Sequence, residues 1–327
     1  MRDDHYVAQT YLRHFAGSSG MLRAYRKSDG ATFPCRPRDI CREQNGDIIP
    51  DFLSEPGYLG DYRAGFEPLW NSSVAALKAR SLDMRDKLHL SGYWAQLLVC
   101  TPTWTRVAVE ISNHNAINAV SAHNTISTER GHQNEKLSAA IEDLERGEIT
   151  VLTEADFVRA ESARSVLKFA WALYNAEWDV YENDTGTEYL TSDNPASFED
   201  QGDTWEAPGR VPFVRFLPVT PRLCLTCDLT RNPEGFLRAE QDFTKEPQGT
   251  IRGGFVDLET VRRINICTVK CAEDLVLGSV ESDYARDLTA RYSGFHVQTE
   301  SKRFRERSGF LIANRTRCIE SRSTIHL

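Results

Sequence analysis

Apolar residues recur at helical spacing through the first 180 positions and in shorter alternating runs beyond them. This divides the chain into a helix-rich half, 1–180, and a mixed sheet and helix half, 181–327, of one domain spanning 1–327. Pro68 suits a first helical turn, and Leu69, Ala76 and Leu77 then recur on one face as far as Arg80. Leu88 to about Ser121 is the next helix, interrupted at Pro102, whose ring removes a backbone donor. Asn113 to Ser127 is polar and rich in Asn and His, which predicts a helix end or a loop over a cleft. Lys136 to Arg146 and Glu154 to Trp178 complete the helical half, the second carrying Val166, Phe169, Ala170, Leu173 and Tyr174 into the core.

From Glu188 the period changes. Glu188 to Thr191 reads as a short strand, ended by a turn at Ser192-Asp193-Asn194-Pro195. Val211 to Leu217 and Arg222 to Leu229 read as a hairpin joined by Pro218-Val219-Thr220-Pro221. Glu199 to Pro208 and Pro247 to Gly254 read as loops. Asp257 to Val276 and Glu281 to Tyr292 read as helices, and Gly309 to Ala313 as a strand after the basic run Lys302 to Arg307. The predicted architecture is α+β: a helix-rich single domain whose N-terminal helix packs beside a small antiparallel sheet.

Composition narrows this little. Apolar residues at 40% and charged residues at 26% describe a soluble globular chain. The net charge of -8 argues against a broad basic surface for nucleic acid but leaves room for a confined basic cleft. The start Met1-Arg2-Asp3-Asp4-His5-Tyr6 lacks a secretory pattern. The apolar stretch Tyr93 to Cys100 is far shorter than the roughly 20 residues of a membrane span, so a cytoplasmic protein without a membrane partner is expected.

Eight irregularly spaced cysteines suggest reduced thiols. Cys224, Cys227, Cys267 and Cys271 would supply four thiolates to zinc. Strand-like alternation around Cys224 and Cys227, however, sends residues three apart to opposite faces, which favours core cysteines. His114 and His123 are nine apart, about 180° around one helix, and would not share an ion. Pro50-Asp51 lacks the Glu-x-Lys or Asp-x-Lys that a restriction-type nuclease core needs. No phosphate-cradling Gly-rich loop, His-Glu-x-x-His or Gly-x-Ser-x-Gly occurs, and Gly253-Gly254 is too little for a dinucleotide site.

The remaining chemistry sits in isolated polar residues. His5, Gln9 and Arg13 recur four apart, and on a helix would share a face opposite Tyr11 and Phe15. Imidazole, amide and guanidinium in one line suit an anionic or carbonyl ligand. A docked terminal helix with a solvated polar face explains the same spacing.

The opening His5-Tyr6-Val7-Ala8-Gln9-Thr10-Tyr11-Leu12-Arg13-His14-Phe15 resembles that of a bacterial family of unknown function, whose members typically begin His-Tyr-Val-Pro-Gln. So do Thr191-Ser192-Asp193-Asn194-Pro195, Pro218-Val219-Thr220-Pro221 and the late helix with Asn265. The likeness runs collinearly over roughly 5–290. Ala8 stands where the family usually has Pro, and Cys100 where an Arg often precedes Thr-Pro. The resemblance implies a cluster of His5, Gln9, Arg13, Glu67, Asp193, Asn194 and Asn265, and, because some relatives sit among antiviral genes, a role in defence against phage.

The expected site has His5, Glu67 and Asp193 as catalytic groups and Gln9, Arg13, Asn194 and Asn265 holding substrate. A hydrolase of nucleic acid or nucleotides would use Glu67 or Asp193 to activate water or hold a divalent metal, His5 as general acid and base, and Arg13 against phosphate charge. Two other readings stand beside it: a non-catalytic sensor or interaction protein whose polar cluster is a lock, and a metabolic enzyme acting on a small acidic molecule. For Asp193 and Asn194 a simple turn, and for Glu67 a helix-terminal charge, are the structural alternatives.

Overall fold

The computed structural model describes residues 3–49, 52–132, 134–146, 148–200, 214–228, 242–307 and 309–321. Pro50-Asp51, residues 201–208 of the first loop considered above and residues 211–213 of the strand expected over 211–217 lie outside these residues.

The chain opens with a strand, β1 (Asp3–His5), paired antiparallel with β4 (Arg42–Gln44). The short helix α1 (Gln9–Leu12) follows and runs into a 3-10 turn at Arg13–Phe15. His5 is therefore not on the helix expected to carry it with Gln9 and Arg13. Ala8 is extended, with ψ 142°, and separates the two elements. Next come β2 (Leu22–Arg26), β3 (Thr32–Cys35) and a 3-10 turn at Pro37–Asp39. Strands thus occupy part of the half read as helical.

The helical layer comprises α2 (Tyr58–Phe66), α3 (Trp70–Lys78), α4 (Met84–Cys100), α5 (Pro102–Glu129), α6 (Glu135–Glu145) and α7 (Ala155–Asn175). Pro102 opens α5 after an extended Thr101, so the interruption read from the proline separates two helices. Asn113 to Ser127 lies inside α5, neither at a helix end nor in a loop. A polar stretch persists there because the helix packs on a strand pair, through polar contacts, as well as on α7.

The larger sheet has five strands in the order β10-β5-β9-β8-β7. These are β5 (Glu177–Glu182), β7 (Ser197–Phe198), β8 (Val214–Thr220), β9 (Leu223–Asp228) and β10 (Ile251–Phe255). The sheet is mixed rather than antiparallel, because β10 runs parallel to β5. Pro247 to Gly254, read as a loop, supplies most of that strand; its glycines sit on an edge, where side-chain packing demands least. The β8–β9 hairpin forms as read, but Pro218, Val219 and Thr220 belong to β8 and pass a register irregularity there.

The second sheet is β3-β2-β11-β6, with β6 (Thr191–Ser192) and β11 (Leu275–Gly278). The strand expected from Glu188 is only those two residues of β6. Helix α8 (Leu258–Cys271) is capped by Asp257, whose side chain accepts the Thr260 N–H, and ends five residues before Val276 to leave room for β11. Helix α9 (Asp283–Arg291) follows. A long ribbon closes the described chain: β12 (Phe295–Glu306), which holds all of the basic run but Arg307, paired throughout with β13 (Gly309–Glu320).

One apolar core joins Val7, Tyr11 and Phe15 to Trp70, Tyr93 and Trp94, and to Trp178, Leu217 and Leu277. The Tyr11 ring lies 5.5 Å from both Phe15 and Trp70, distances at which aromatic pairs add to area burial. Cys224 packs with Phe216, Ile264 and Cys267, whereas Cys227 faces the main core, as strand alternation requires. No helix among the described residues is long and apolar enough to cross a membrane.

Candidate functional site

The sequence Val7-Ala8-x-x-Tyr11-Leu12-x-x-Phe15 buries five side chains at 0–1% exposure, leaving the intervening polar residues outward or at a seam. The Tyr93 hydroxyl accepts the Ala8 N–H at 3.2 Å, satisfying a donor at the helix entrance. Tyr11 donates its phenol hydrogen to the Pro218 carbonyl at 2.6 Å. Having one hydrogen, it must accept from the Thr191 hydroxyl at 2.7 Å. The helix is therefore held by both sheets.

On the outer side of α1, the Arg13 guanidinium donates to Gln9 Oε1 at 3.2 Å, the contact that a four-residue spacing allows. These two residues line a cleft of about 540 Å³. The turn Gly17 to Met21 forms one wall and Arg36, Pro37 and Arg38 another, so three guanidiniums and no carboxylate line the opening. Arg36 makes no ion pair or side-chain hydrogen bond among the described residues, and Arg38 has only Asp39 at 3.6 Å. Sequence spacing identified Gln9 and Arg13 but missed Arg36 and Arg38, whose local signal is two arginines around a proline. Their approach to α1 is tertiary, through β3 and the following turn.

His5 stands beside this wall. Its Nε2 lies 3.2 Å from the Arg38 carbonyl oxygen, which only accepts, so Nε2 carries hydrogen and donates it there. Glu67 lies in a 3-10 turn, Glu67–Leu69, before α3, and accepts the Thr10 hydroxyl at 3.2 Å. It too borders α1, on the seam with the helical layer.

Asp193, Asn194 and Asn265 have another environment. Asp193 directly follows β6 and accepts three consecutive backbone N–H groups, from Glu273 at 2.9 Å and from Asp274 and Leu275 at 2.8 Å each. Burial pushes its carboxyl up to about 6, and the three donors pull the other way. Asn194 donates to the Cys271 carbonyl at 2.8 Å and accepts the Thr101 hydroxyl at 3.3 Å. Asn265 accepts the Leu190 N–H at 2.9 Å and donates to the Glu188 carbonyl at 2.8 Å. These side chains fasten β6, α8 and the strand after it to one another. Lys27, also buried, donates to the Val269, Ala272 and Phe295 carbonyls, using all three ammonium hydrogens at the end of α8.

The expected cluster thus falls into parts. Gln9, Arg13 and His5 gather at or beside the cationic cleft, Glu67 sits on the inner seam, and Asp193, Asn194 and Asn265 bond internal groups. Among the described residues no hydrogen bond or ion pair joins any two of His5, Glu67 and Asp193. No group of three or more His, Cys, Asp or Glu side chains there is placed to hold a metal ion.

A family model described as "Protein of unknown function (DUF4238)" matches residues 4–282. No curated protein and no solved structure matches the chain.

Proposed function

We propose that this chain, which belongs to the family of unknown function whose model it matches, binds a phosphate-bearing ligand, a nucleotide or nucleic acid, in the cleft between α1 and the Arg36–Arg38 turn. The observation that carries this reading is the convergence of Arg13, Arg36 and Arg38 on an opening without a carboxylate. Guanidinium forks match phosphate oxygens two at a time, and local positive charge concentrates anions despite the net charge of -8. Gln9 orients Arg13 and offers an amide to the ligand.

A sensor is favoured over a catalyst, because the hydrogen-bond capacity of Asp193, Asn194 and Asn265 serves the fold. The antiviral setting implied by the sequence resemblance makes nucleotides and phosphorylated oligonucleotides the first ligands to test. The hydrolase reading retains one specific support: His5, bonded through Nε2 to the carbonyl of the cleft residue Arg38, stands beside the cleft wall, near where a general acid or base would be needed.

The test is titration of the protein with ATP, a 5′-phosphorylated oligonucleotide and its unphosphorylated counterpart, at low and physiological salt. Arg13→Ala and Arg36→Ala are each expected to weaken binding about tenfold or more, the value of a charged hydrogen bond. Undiminished binding by both variants would reject the cleft. Ligand turnover by wild type, lost in His5→Ala with binding retained, would decide for hydrolysis.

A further inference from the structure

A second opening, of about 640 Å³, lies between the outer face of α8 and the segment Phe198 to Asp200, and Cys267 and Cys318 both line it. Behind Cys318 stands Cys271, the last residue of α8, with the two sulfurs 3.3 Å apart. Their spacing in sequence is 47 residues, so folding alone brings them together. Each is nearly excluded from solvent, yet Cys318 borders the opening while Cys271 is closed off behind it. Such a pair combines an approachable sulfur with a resolving thiol in contact, the arrangement that separates reversible disulfide formation from dead-end oxidation.

We propose that Cys318 and Cys271 form a hydroperoxide-reactive dithiol site that closes reversibly to a disulfide. The Cys318 sulfur, its proton passing to the Cys271 sulfur, attacks the O–O bond of ROOH; an S–O bond forms, the O–O bond breaks, and RO⁻ leaves to take a proton from water. The Cys271 sulfur then attacks the Cys318 sulfenic acid. The S–S bond forms, the S–O bond breaks, and hydroxide leaves with the Cys271 proton as water. The thiols together lose two electrons, and the peroxide is reduced to ROH and water.

The surroundings suit this chemistry. Burial raises Cys271, but the hydrogen bond with Cys318 and the nearby charges of Lys27 and Arg215 outweigh it and hold the thiol below its ordinary value. The hydrogen bond with Cys271, burial and the Cys271 charge push the Cys318 thiol well above its ordinary value, so its proton passes to the Cys271 sulfur, 3.3 Å away, as it attacks. Cys267 lines the same opening, but burial and the Cys271 charge raise its thiol, and it stays protonated. The disulfide would tie the β12–β13 ribbon, which lies beyond the family-matched residues 4–282, to α8 inside them.

The experiment treats the folded full-length protein with one equivalent of hydrogen peroxide, blocks remaining thiols with iodoacetamide in denaturant, and maps peptides by mass spectrometry before and after dithiothreitol. Wild type is expected to lose two of its eight alkylation sites, to yield a Cys271–Cys318 linked peptide, and to regain both sites on reduction. Cys267→Ser should behave as wild type, and Cys318→Ser should yield no linked peptide. Eight alkylated thiols after peroxide, a link between another pair, or Cys318 sulfinic acid without a link would each overturn the proposal. The wild-type map decides it even where a variant folds poorly. Phosphate-ligand binding plays no part in this readout, so its result stands apart from that of the cationic cleft.

Discussion

Thr191 donates its hydroxyl hydrogen to the Tyr11 phenol, which passes its own to the Pro218 carbonyl, so one buried side chain of α1 joins both sheets. Tyr11→Phe keeps the ring packing against Phe15 and Trp70 and removes only the relay. It leaves the Thr191 hydroxyl and the Pro218 carbonyl without this partner in a site where the tyrosine is 0% exposed. The expected loss is about 1–3 kcal/mol of unfolding free energy, read as a lower urea midpoint at unchanged slope. A midpoint equal to wild type would show that the relay contributes no net stability.

Asp193 gives the fold a dependence on pH. Its folded value, about 6, lies above the ordinary 3.8, so the native state holds its proton more tightly than the unfolded chain. The associated stability is complete below about pH 4 and is lost as pH rises through 6, a change of about 3 kcal/mol. Unfolding of wild type and Asp193→Ala should be compared at pH 5 and pH 7.5. The advantage of wild type should be larger at pH 5, other carboxylates cancelling in the difference. An equal or reversed difference would mean that the three backbone donors outweigh burial.

The parts of this architecture written into local sequence were legible. Pro102 marked the division between α4 and α5, Asp257 sat where a cap is needed, and Val166 to Tyr174 announced a core helix. Strands whose partners lie far along the chain were harder. Ile251 to Phe255 contains two glycines and carries little strand signal, and its place beside β5 depends on a pairing some 73 positions away. His5 was misplaced because its helical spacing to Gln9 is real, but the extended Ala8 intervenes. At the site, Gln9 and Arg13 were readable because their relationship is one helical turn. Arg36 and Arg38 were not, because a reversal of the chain brings them to α1.

Gly17 is required by the wall of the cationic cleft. A Cβ there would lie 2.6 Å from the Ser279 carbonyl oxygen, a backbone atom with little freedom to withdraw. The turn is also closed by Gly17 N–H to the Met21 carbonyl at 2.9 Å and Gly20 N–H to the Gly17 carbonyl at 2.8 Å. Gly17→Ala should cost about 1–3 kcal/mol through overpacking and weaken nucleotide affinity by shifting this wall. Gly20→Ala meets nothing within 4 Å, and its cost, about 1 kcal/mol, comes only from the positive φ of 72°. A larger effect from Gly20→Ala, in either titration or unfolding, would contradict this account.

Arg106 fastens the terminal ribbon to the helical layer. Its Nε and one terminal nitrogen donate to the two oxygens of Glu273 at 3.1 and 2.9 Å. The other terminal nitrogen reaches Glu110 at 2.9 Å and the Val297 carbonyl at 2.8 Å. Thr103 donates to Glu273, and Glu110 accepts the Thr299 N–H, so α5, the end of α8 and β12 meet through one guanidinium. Arg106→Ala leaves two half-buried carboxylates together without their cation, and the expected loss is about 1.5–3 kcal/mol, the value of charged hydrogen bonds. Because β12 carries Lys302, Arg303 and Arg305, with Arg307 just beyond it, local release of the ribbon exposes trypsin sites before the rest of the chain unfolds. Faster cleavage within 302–307 is therefore expected in Arg106→Ala at temperatures well below its unfolding midpoint. Arg106→Lys, which restores charge but not the fork, should fall between the two. Equal cleavage of all three proteins would show that apolar packing and the Asn118–Ser301 and Asn115–Asn314 contacts hold the ribbon without the guanidinium.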